Sequence, residues 1–225
     1  KYVEDMVIYK DDKILVLNKP SGLAVQGGTN TVRHLDGLLD ALKFGNEEKP
    51  KLVHRIDKDT SGVLVLARNR KTADILTKAF REHTLKKTYL ALTRGVIYPE
   101  EGEINAPMDK LDGRVQVFEG GKQAITEYRV LDNVGERYSL IAASPITGRT
   151  HQIRVHLEYK NAPILGDNKY FGNERERNNL FKDKLHLHAY EIDLSAIYSK
   201  KKVIRAPLPD YFKDSLSALG LYFKE

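Results

Sequence analysis

The most pronounced apolar segment of the chain is the continuous run at residues 63–67, which follows a stretch of polar and ionisable residues. A run this short, rich in β-branched residues and preceded by turn formers, predicts a strand that is buried on both faces. The residues just before it, 59–62, favour a loop, because short polar side chains bond to their own backbone and Gly62 tolerates positive φ. Charged side chains are therefore expected at the end of a buried strand.

Other apolar patterns predict further strands, mostly antiparallel in the middle of the chain. Apolar segments on either side of the polar turn 10–13 are typical of a hairpin. Within residues 102–118, turns are predicted around residues 115–117. Strands are expected over residues 6–9, 14–17, 87–92, 123–131, 137–143, 185–190 and 202–206.

Apolar residues at helical spacing predict amphipathic helices over residues 31–43, 72–83 and 150–159, and a closing helix that ends at Gly220. In the third of these, residues three apart are neighbours, so His151 and Arg154 are expected on one face. The charged segment 173–184 has almost no apolar residues and is expected to be a solvated surface loop.

These elements predict an α+β fold with a mixed, largely antiparallel sheet flanked by helices and loops. A chain of 225 residues can bury one substantial core, and no internal repeat divides it, so residues 1–225 are expected to form a single domain.

Composition narrows the function classes. The chain has 37 Lys and Arg against 31 Asp and Glu, a net charge of +6, which suits a polyanionic partner such as RNA. It has no cysteine, which excludes disulfide scaffolds and thiolate zinc sites. No apolar run approaches the roughly 20 residues of a membrane span and no signal-peptide pattern opens the chain, so a cytoplasmic protein with no membrane partner is expected.

Four segments carry the chemistry. His54-Arg55-Ile56-Asp57, followed by Thr60-Ser61-Gly62, resembles the H-R-[LI]-D-x-x-T-S-G signature of the RluA family of pseudouridine synthases. Lys87-Thr88-Tyr89 resembles the K-x-Y motif of that family, and residues 145–156 resemble its P-x-T-G-R-x-H-Q-[IL]-R-x-H motif. With Asn18-Lys19-Pro20-Ser21-Gly22, the resemblance covers essentially the whole chain.

The resemblance implies the pseudouridine synthase fold and the conversion of uridine to pseudouridine in RNA. It identifies Asp57 as the catalytic carboxylate, Arg154 as its partner and Tyr89 as the residue that stacks on the uracil ring. A carboxylate can act as a covalent catalyst when it is ionised, and a neighbouring arginine favours the ionised form. Whether Asp57 attacks C1′ or C6, or stabilises the departing uracil, is left open.

RNA contacts follow from the same resemblance. A stacked uridine cannot reach a carboxylate in a cleft, so it must be flipped out, and Arg55 matches the family position that fills the vacated stack. His54, Arg149 and Lys19 are further expected RNA contacts. Arg68 and Arg70 are additional candidates for phosphate contacts.

No metal or organic cofactor is expected, because an isomerisation transfers nothing to a second substrate. Loops at residues 18–22, 27–28 and 119–122 resemble a branch of the family that acts on ribosomal large-subunit RNA and carries an amino-terminal S4 RNA-binding domain. That domain has no counterpart here, so the chain is expected to be a catalytic domain from a longer protein, monomeric in solution.

A metal-dependent hydrolase is the first alternative, suggested by Asp57 and Asp59 together with His186, His188 and His54. Short pairs of this kind are frequent by chance, and no motif typical of a metal site surrounds them.

A silent RNA-binding domain is the second alternative. It would need the same basic surface without Asp57, Tyr89 and Arg154, all of which are present. A serine hydrolase is disfavoured because no nucleophile-elbow pattern surrounds Ser61.

Overall fold

The computed structural model describes residues 2–28, 34–171 and 184–225. The chain forms two compact units. The first unit comprises Lys1–Lys86 and Ala189–Pro207, and the second comprises Lys87–His188 and Leu208–Glu225. Both units combine antiparallel strands with short helices, which confirms the predicted α+β class.

Strands account for most of the regular structure in the described residues. They are β1 (Val7–Lys10), β2 (Ile14–Lys19), β3 (Lys51–Leu52), β4 (Ser61–Ala67), β5 (Lys86–Arg94), β6 (Glu101–Asn105), β7 (Met108–Leu111), β8 (Arg114–Val117), β9 (Ile125–Val134), β10 (Tyr138–Pro145), β11 (Leu187–Asp193) and β12 (Val203–Arg205). The helices are α1 (Arg70–Arg81), α2 (Gln152–Tyr159), α3 (Ser195–Tyr198) and α4 (Asp210–Leu219), with 3₁₀ helices at Glu4–Met6 and Leu35–Leu42.

In the first unit the strand order is β1-β2-β4-β11, with β3 paired to β4 and β12 paired to β11. Strands β2 and β4 are antiparallel, with Val16 opposite Val65. Every residue of β4 is buried, as its apolar sequence predicts. Leu64 and Leu66 pack in a core cluster with leucines of the 3₁₀ helix Leu35–Leu42, and α1 also packs against β4. The strand is therefore a rigid base for the loop that precedes it.

In the second unit the order is β5-β10-β9-β6, all antiparallel. Strands β7 and β8 form a separate two-stranded sheet. Helix α2 packs against β8, β9 and β10. Its residues from Gln152 to Leu157 are all buried, which places the helical part of the last motif inside the unit.

Several predicted elements agree closely with the structure. The first hairpin is present, and α4 ends at Gly220, whose φ of 75° makes it a left-handed C-cap. Helix α1 begins two residues earlier than expected, because the side chain of Asn69 accepts a hydrogen bond from the Thr72 N–H at 2.9 Å. A capping Asn defines the first turn more sharply than apolar spacing does.

Two predictions were wrong in part. The amphipathic segment predicted as a helix over residues 31–43 is a 3₁₀ helix at Leu35–Leu42, and its expected start lies outside the described residues. Gly37 lies inside this segment, and glycine disfavours a regular α-helix. The turns predicted around residues 115–117 are instead strand β8. Its hairpin turn is Asp112-Gly113, both with positive φ, as a two-residue type I′ turn requires.

The strand predicted over residues 185–190 begins at Leu187 and extends to Asp193. Its alternating polar positions, His186, His188 and Tyr190, are all buried. The predicted solvated loop 173–184 lies outside the described residues except for Lys184.

Candidate active site

Asp57 lies in the loop between β3 and β4, with a half-buried side chain. The Asp57 carbonyl accepts a hydrogen bond from the Thr60 N–H at 3.1 Å, which closes a tight turn. Thr60 and Ser61 are buried, so the turn joins β4 without a mobile spacer. Gly62 has a φ of 114°, and a Cβ there would lie 2.2 Å from the Ala189 carbonyl oxygen. The end of the loop is therefore fixed by a position that only glycine can occupy.

The same loop is held from its other side by the segment that begins at Lys19. The Lys19 side chain is fully buried, and its Nζ donates to the carbonyls of Pro20, Leu23 and Lys58, each at 2.8 Å. The Gly22 N–H donates to the Lys58 carbonyl at 2.9 Å. The Ser21 hydroxyl also donates to the Asp59 carbonyl, at 2.8 Å. The backbone that carries Asp57 is thus tied down immediately after that residue.

Lys19 is also electrostatically coupled to the loop. Burial lowers the pKa of Lys19 to about 7, although the negative charges of Asp59 and Asp57 oppose this shift. Its three ammonium N–H groups all donate to carbonyls. The RNA contact expected for Lys19 is therefore corrected: a fully buried ammonium with no spare donor supports the Asp57 loop and cannot reach a phosphate.

The two polar residues that precede Asp57 in its motif, His54 and Arg55, have different environments. His54 stacks on Phe80 with ring centroids 3.9 Å apart, and its Nε2 accepts a hydrogen bond from the Val65 N–H at 2.9 Å. This bond requires the tautomer protonated at Nδ1, and it anchors the motif to β4. Arg55 is exposed. Its RNA contact and that of His54 stay predictions, and the geometry gives His54 a packing role as well.

Arg68 and Arg70 follow strand β4. The Arg68 guanidinium donates to the carbonyls of Asp11, Lys43 and Phe44, and thereby ties three loops together. Arg70 is exposed at the start of α1. Of these two candidate phosphate contacts, only Arg70 has an exposed side chain, as such a contact requires.

Tyr89 lies in β5, opposite Ala143 of β10, and is 9% exposed. Lys87 lies two residues earlier and therefore on the same face of the strand. Burial lowers the pKa of Lys87. The K-x-Y motif thus places an amine and a phenol side by side on one face of a strand in the second unit.

Residues of the 145–156 motif hold the start of α2 in place. The Thr147 hydroxyl donates to Gln152 Oε1 at 2.7 Å and accepts from the Ile125 N–H at 2.9 Å. The Gln152 amide donates to the Ile125 carbonyl at 2.9 Å and to the Thr126 hydroxyl at 3.0 Å. The Arg149 N–H also donates to Gln152 Oε1, at 3.1 Å. Thr147 and Gln152 therefore lock the loop before α2 to strand β9.

His156 continues this network into the core. Its Nε2–H donates to the Ala106 carbonyl at 2.9 Å, and its Nδ1 lies 2.7 Å from the Thr126 hydroxyl. The ring is fully buried, and burial lowers its pKa. His156 is therefore a neutral core residue that bridges β9 to the segment after β6.

Arg154 forms a buried bidentate ion pair with Asp167. Its Nε and Nη2 donate to the two carboxylate oxygens of Asp167, both at 2.8 Å. The guanidinium also lies 5.0 Å from the ring centroid of Tyr170. Sequence reasoning found Arg154 but missed Asp167 and Tyr170, which lie outside the family motifs used. Gly166 and Asp167 lie in a loop, and nothing in the sequence indicates that the Asp167 carboxylate is buried against an arginine.

His151 does not lie on the helical face that was expected to carry it together with Arg154. It precedes α2 as the N-cap residue in a left-handed conformation, with φ of 56°. The two side chains nevertheless converge, because His151 Nδ1 lies 2.7 Å from the Tyr170 hydroxyl. They meet through a shared aromatic partner and not through helical spacing.

Arg149 is exposed, and its Nε donates to the Gln123 carbonyl at 2.9 Å. This bond orients the guanidinium without burying it, which suits the expected RNA contact. Of the site residues predicted from the sequence, Asp57, Arg55, His54 and Lys19 lie in the first unit, and Tyr89, Arg149 and Arg154 lie in the second.

The metal alternative gains no support within the described ranges, where no three His, Asp or Glu side chains are grouped as they would be around an ion. His186 contacts the Leu165 and Lys184 carbonyls through Nδ1 and lies 2.8 Å from the Ser215 hydroxyl through Nε2. No helix in the part of the chain that is described is long and apolar enough to cross a membrane.

Comparisons with known proteins agree with the geometry. Residues 13–159 match the family model described as RNA pseudouridylate synthase. Ribosomal large subunit pseudouridine synthase C of Rickettsia bellii is 39% identical over 220 residues, which is 94% of this chain and 71% of that protein. RNA pseudouridine synthase 4, mitochondrial, of Arabidopsis thaliana is 43% identical over 197 residues, covering 76% of this chain and 41% of that protein.

Among solved structures, human RNA Pseudouridylate Synthase Domain Containing 4 superposes with a TM-score of 0.84 at 29% identity, covering 100% of this chain and 96% of that one. The family match extends over more than half of the chain. The buried motif residues described above give it a structural basis. The chain therefore belongs to the RNA pseudouridylate synthase family and is an RNA-modifying enzyme that forms pseudouridine.

Proposed function

We propose that this enzyme isomerises specific uridines of large-subunit ribosomal RNA, with Asp57 as the covalent catalyst. The observation that carries the proposal is the construction of the Asp57 loop. Lys19, Ser21 and Gly22 bond to the backbone at Lys58 and Asp59, and the Thr60 N–H bonds to Asp57 itself. A loop tied at each of these residues, next to the buried Lys19 side chain, is suited to holding one carboxylate in a fixed position.

The chemistry needs little beyond that carboxylate. The N1–C1′ bond breaks, the uracil turns over, C5 bonds to C1′, and the proton lost from C5 is balanced by one gained at N1. A carboxylate can stabilise the intermediate covalently, as in retaining glycosidases, through C1′ or through C6. No second substrate takes part, so activity is expected to survive treatment with EDTA.

Arg154 and Tyr89 complete the proposed catalytic set. In this proposal the Arg154 guanidinium favours the ionised form of Asp57, and Tyr89 stacks on the uracil ring and helps to remove the C5 proton. Two features support these roles: the guanidinium is buried and held rigidly, and Tyr89 is buried on strand β5. Both side chains are thus restricted to few orientations.

Target binding is proposed to combine base flipping with phosphate contacts. Flipping a uridine out of its stack costs roughly a few kcal/mol, and Arg55 is proposed to fill the space that it leaves. Arg55 and Arg149 are exposed, as such contacts require. Similar proteins include enzymes named for the ribosomal large subunit, which supports that RNA as the target. The chain is proposed to act as a single monomeric catalytic domain in the cytoplasm.

Mapping pseudouridines in ribosomal RNA tests this proposal most broadly. RNA from cells that lack the full-length gene is compared with RNA from cells that carry it and from cells that carry the Asp57→Asn form. We expect one or a few large-subunit positions to lose pseudouridine, to regain it with the wild-type gene and not to regain it with Asp57→Asn. Unchanged large-subunit RNA, with loss of pseudouridine in another RNA, would overturn the ribosomal assignment.

A further inference from the structure

The buried carboxylate of Asp167 has no role in the catalytic set named above, yet it binds one member of that set, Arg154, directly. Asp167 is 1% exposed and binds the guanidinium of Arg154 through both oxygens, at 2.8 Å each. A bidentate pair fixes the plane of a guanidinium as well as its position, because two parallel hydrogen bonds allow neither rotation nor tilt.

Asp167 is itself held by the main chain. Its Oδ1 accepts hydrogen bonds from the backbone N–H groups of Lys169 and Tyr170, both at 2.9 Å. Its own N–H donates to the Ile164 carbonyl at 3.2 Å. Gly166 has a φ of 77°, and a Cβ there would clash with the Lys184 carbonyl. The carboxylate is therefore positioned by a tightly constrained loop and not by a flexible side chain.

Charge and aromatic contacts complete the arrangement. Burial alone would raise the pKa of Asp167, but the hydrogen bonds and charge of Arg154 and the two backbone N–H groups outweigh it, and the pKa lies below its usual value. Both members of the pair are thus ionised at neutral pH. The Tyr170 ring is fully buried beside the guanidinium, and its hydroxyl lies 2.7 Å from His151 Nδ1.

We infer that Asp167 is a positioning residue for pseudouridine formation, which holds the Arg154 guanidinium in the one orientation that serves the reaction. Asp167 occupies Nε and Nη2, so the direction of Nη1 is set by the bidentate pair. The inference rests on the proposed role of Arg154. It differs from a general contribution to folding because it predicts a slower chemical step in correctly folded enzyme.

The test uses Asp167→Asn, which keeps the size of the side chain and one acceptor oxygen but loses the charge and one arm of the bidentate pair. Single-turnover pseudouridine formation on a ribosomal RNA fragment gives two quantities, the rate constant and the fraction of enzyme that is active. We expect the rate constant to fall by about tenfold or more, with RNA affinity unchanged within about threefold. A lower active fraction with an unchanged rate constant would overturn the inference, because that is the effect of a purely structural residue.

A double-mutant comparison separates this inference from the proposed function. Arg154→Ala alone is expected to lower the rate constant strongly, and adding Asp167→Asn to it should lower the rate constant no further, since the second residue acts through the first. If Arg154→Ala leaves the rate unchanged, the proposed role of Arg154 fails. If Arg154→Ala is slow but Asp167→Asn is as fast as wild type, only the inference about Asp167 fails.

Tyr170→Phe is the matched control within the same cluster. It removes the hydrogen bonds of the hydroxyl with His151 and with the Val115 backbone, but it keeps the aromatic face beside the guanidinium and leaves the bidentate pair intact. Its rate constant is expected to stay within about threefold of wild type. A loss as large as that of Asp167→Asn would show that the orientation of Arg154 does not depend chiefly on the carboxylate, and would overturn the inference.

Discussion

The buried Lys19 side chain shows how a single residue can support the catalytic loop without touching substrate. Its motif position suggested an RNA contact, yet its ammonium is enclosed by carbonyls of two loops. The sequence gives the position of a lysine along the chain but not the direction of its side chain in the fold. The direction depends on loop backbones that meet only after folding, so this role could not be predicted.

Replacing Lys19 with Met tests its coupling to the loop. The pKa of about 7 in the folded protein lies below the ordinary 10.5, so between these values the unfolded chain binds more protons and stability rises with pH. From pH 7 to pH 9, we expect the wild type to gain about 2 kcal/mol of unfolding free energy relative to Lys19→Met. Denaturant unfolding at the two pH values measures this difference.

The exposed Lys10 provides the control. Lys10→Met removes the same charge without removing a buried ammonium, so its unfolding free energy should follow that of the wild type between pH 7 and pH 9. An equal pH response in the wild type and Lys19→Met would show that the Lys19 ammonium has an ordinary pKa in the folded protein.

Among single residues, the motifs predict roles for Asp57, Arg154 and Tyr89 but give no signal for Asp167. The motifs identify positions along the chain. The partner of Arg154 lies 13 positions away in a loop and becomes visible only through the bidentate geometry. Buried ion pairs between distant positions are the part of a site that a single sequence specifies least directly.

At the scale of elements, β4 and its preceding loop depend on Gly62. Gly62→Ala adds a Cβ at positive φ and places it 2.2 Å from the Ala189 carbonyl oxygen, so we expect a loss of more than about 3 kcal/mol or failure to fold. Gly22→Ala also has positive φ, but nothing lies within 4 Å of its Cβ, so it should cost only about 1–2 kcal/mol of strain. Thermal unfolding of both variants gives the comparison. Equal destabilisation would contradict the close approach of β4 and β11.

Elements with strong local signals were predicted well. The continuous apolar run of β4 and the Gly that ends α4 both specify structure within a few residues. The β7–β8 hairpin differs from the turns predicted around residues 115–117, because the turn lies at Asp112-Gly113, which is the stronger local signal. The 3₁₀ helix at Leu35–Leu42 shows the same leucine spacing as an α-helix, so periodicity alone does not separate the two.

For the molecule as a whole, acid stability is expected to depend on His186. Its burial lowers the pKa to about 4, against 6.5 in the unfolded chain. Between pH 6.5 and pH 4 the unfolded chain therefore binds more protons, and stability falls as the pH falls, by up to about 3 kcal/mol from this group. His186→Gln should be less stable at pH 7 but lose less stability on acidification. His83→Asn, at an exposed position, serves as the control. If His186→Gln loses as much unfolding free energy on acidification as the wild type does, the expectation is contradicted.

RNA binding by the whole molecule is expected to be strongly electrostatic, given a net charge of +6. The logarithm of the association constant should fall linearly with the logarithm of the salt concentration, as counterions are released from the phosphates. Filter binding or fluorescence anisotropy between about 50 and 200 mM salt measures the slope. Arg149→Ala should make the slope shallower by about one. An association constant of the wild type that does not change with salt concentration would contradict a phosphate-dominated interface.

Asp57 is the residue on which the proposed mechanism rests, and its substitution gives the most direct test. Asp57→Asn keeps the size of the side chain but removes the negative charge and the nucleophilic oxygen. The control is Asp59→Asn, which removes a neighbouring carboxylate that also interacts with Lys19. In single-turnover assays on ribosomal RNA, we expect Asp57→Asn to form no pseudouridine above background. Its RNA affinity should stay within about tenfold, roughly 1.4 kcal/mol, and Asp59→Asn should stay active. Pseudouridine formation by Asp57→Asn at a rate near that of the wild type would contradict the account.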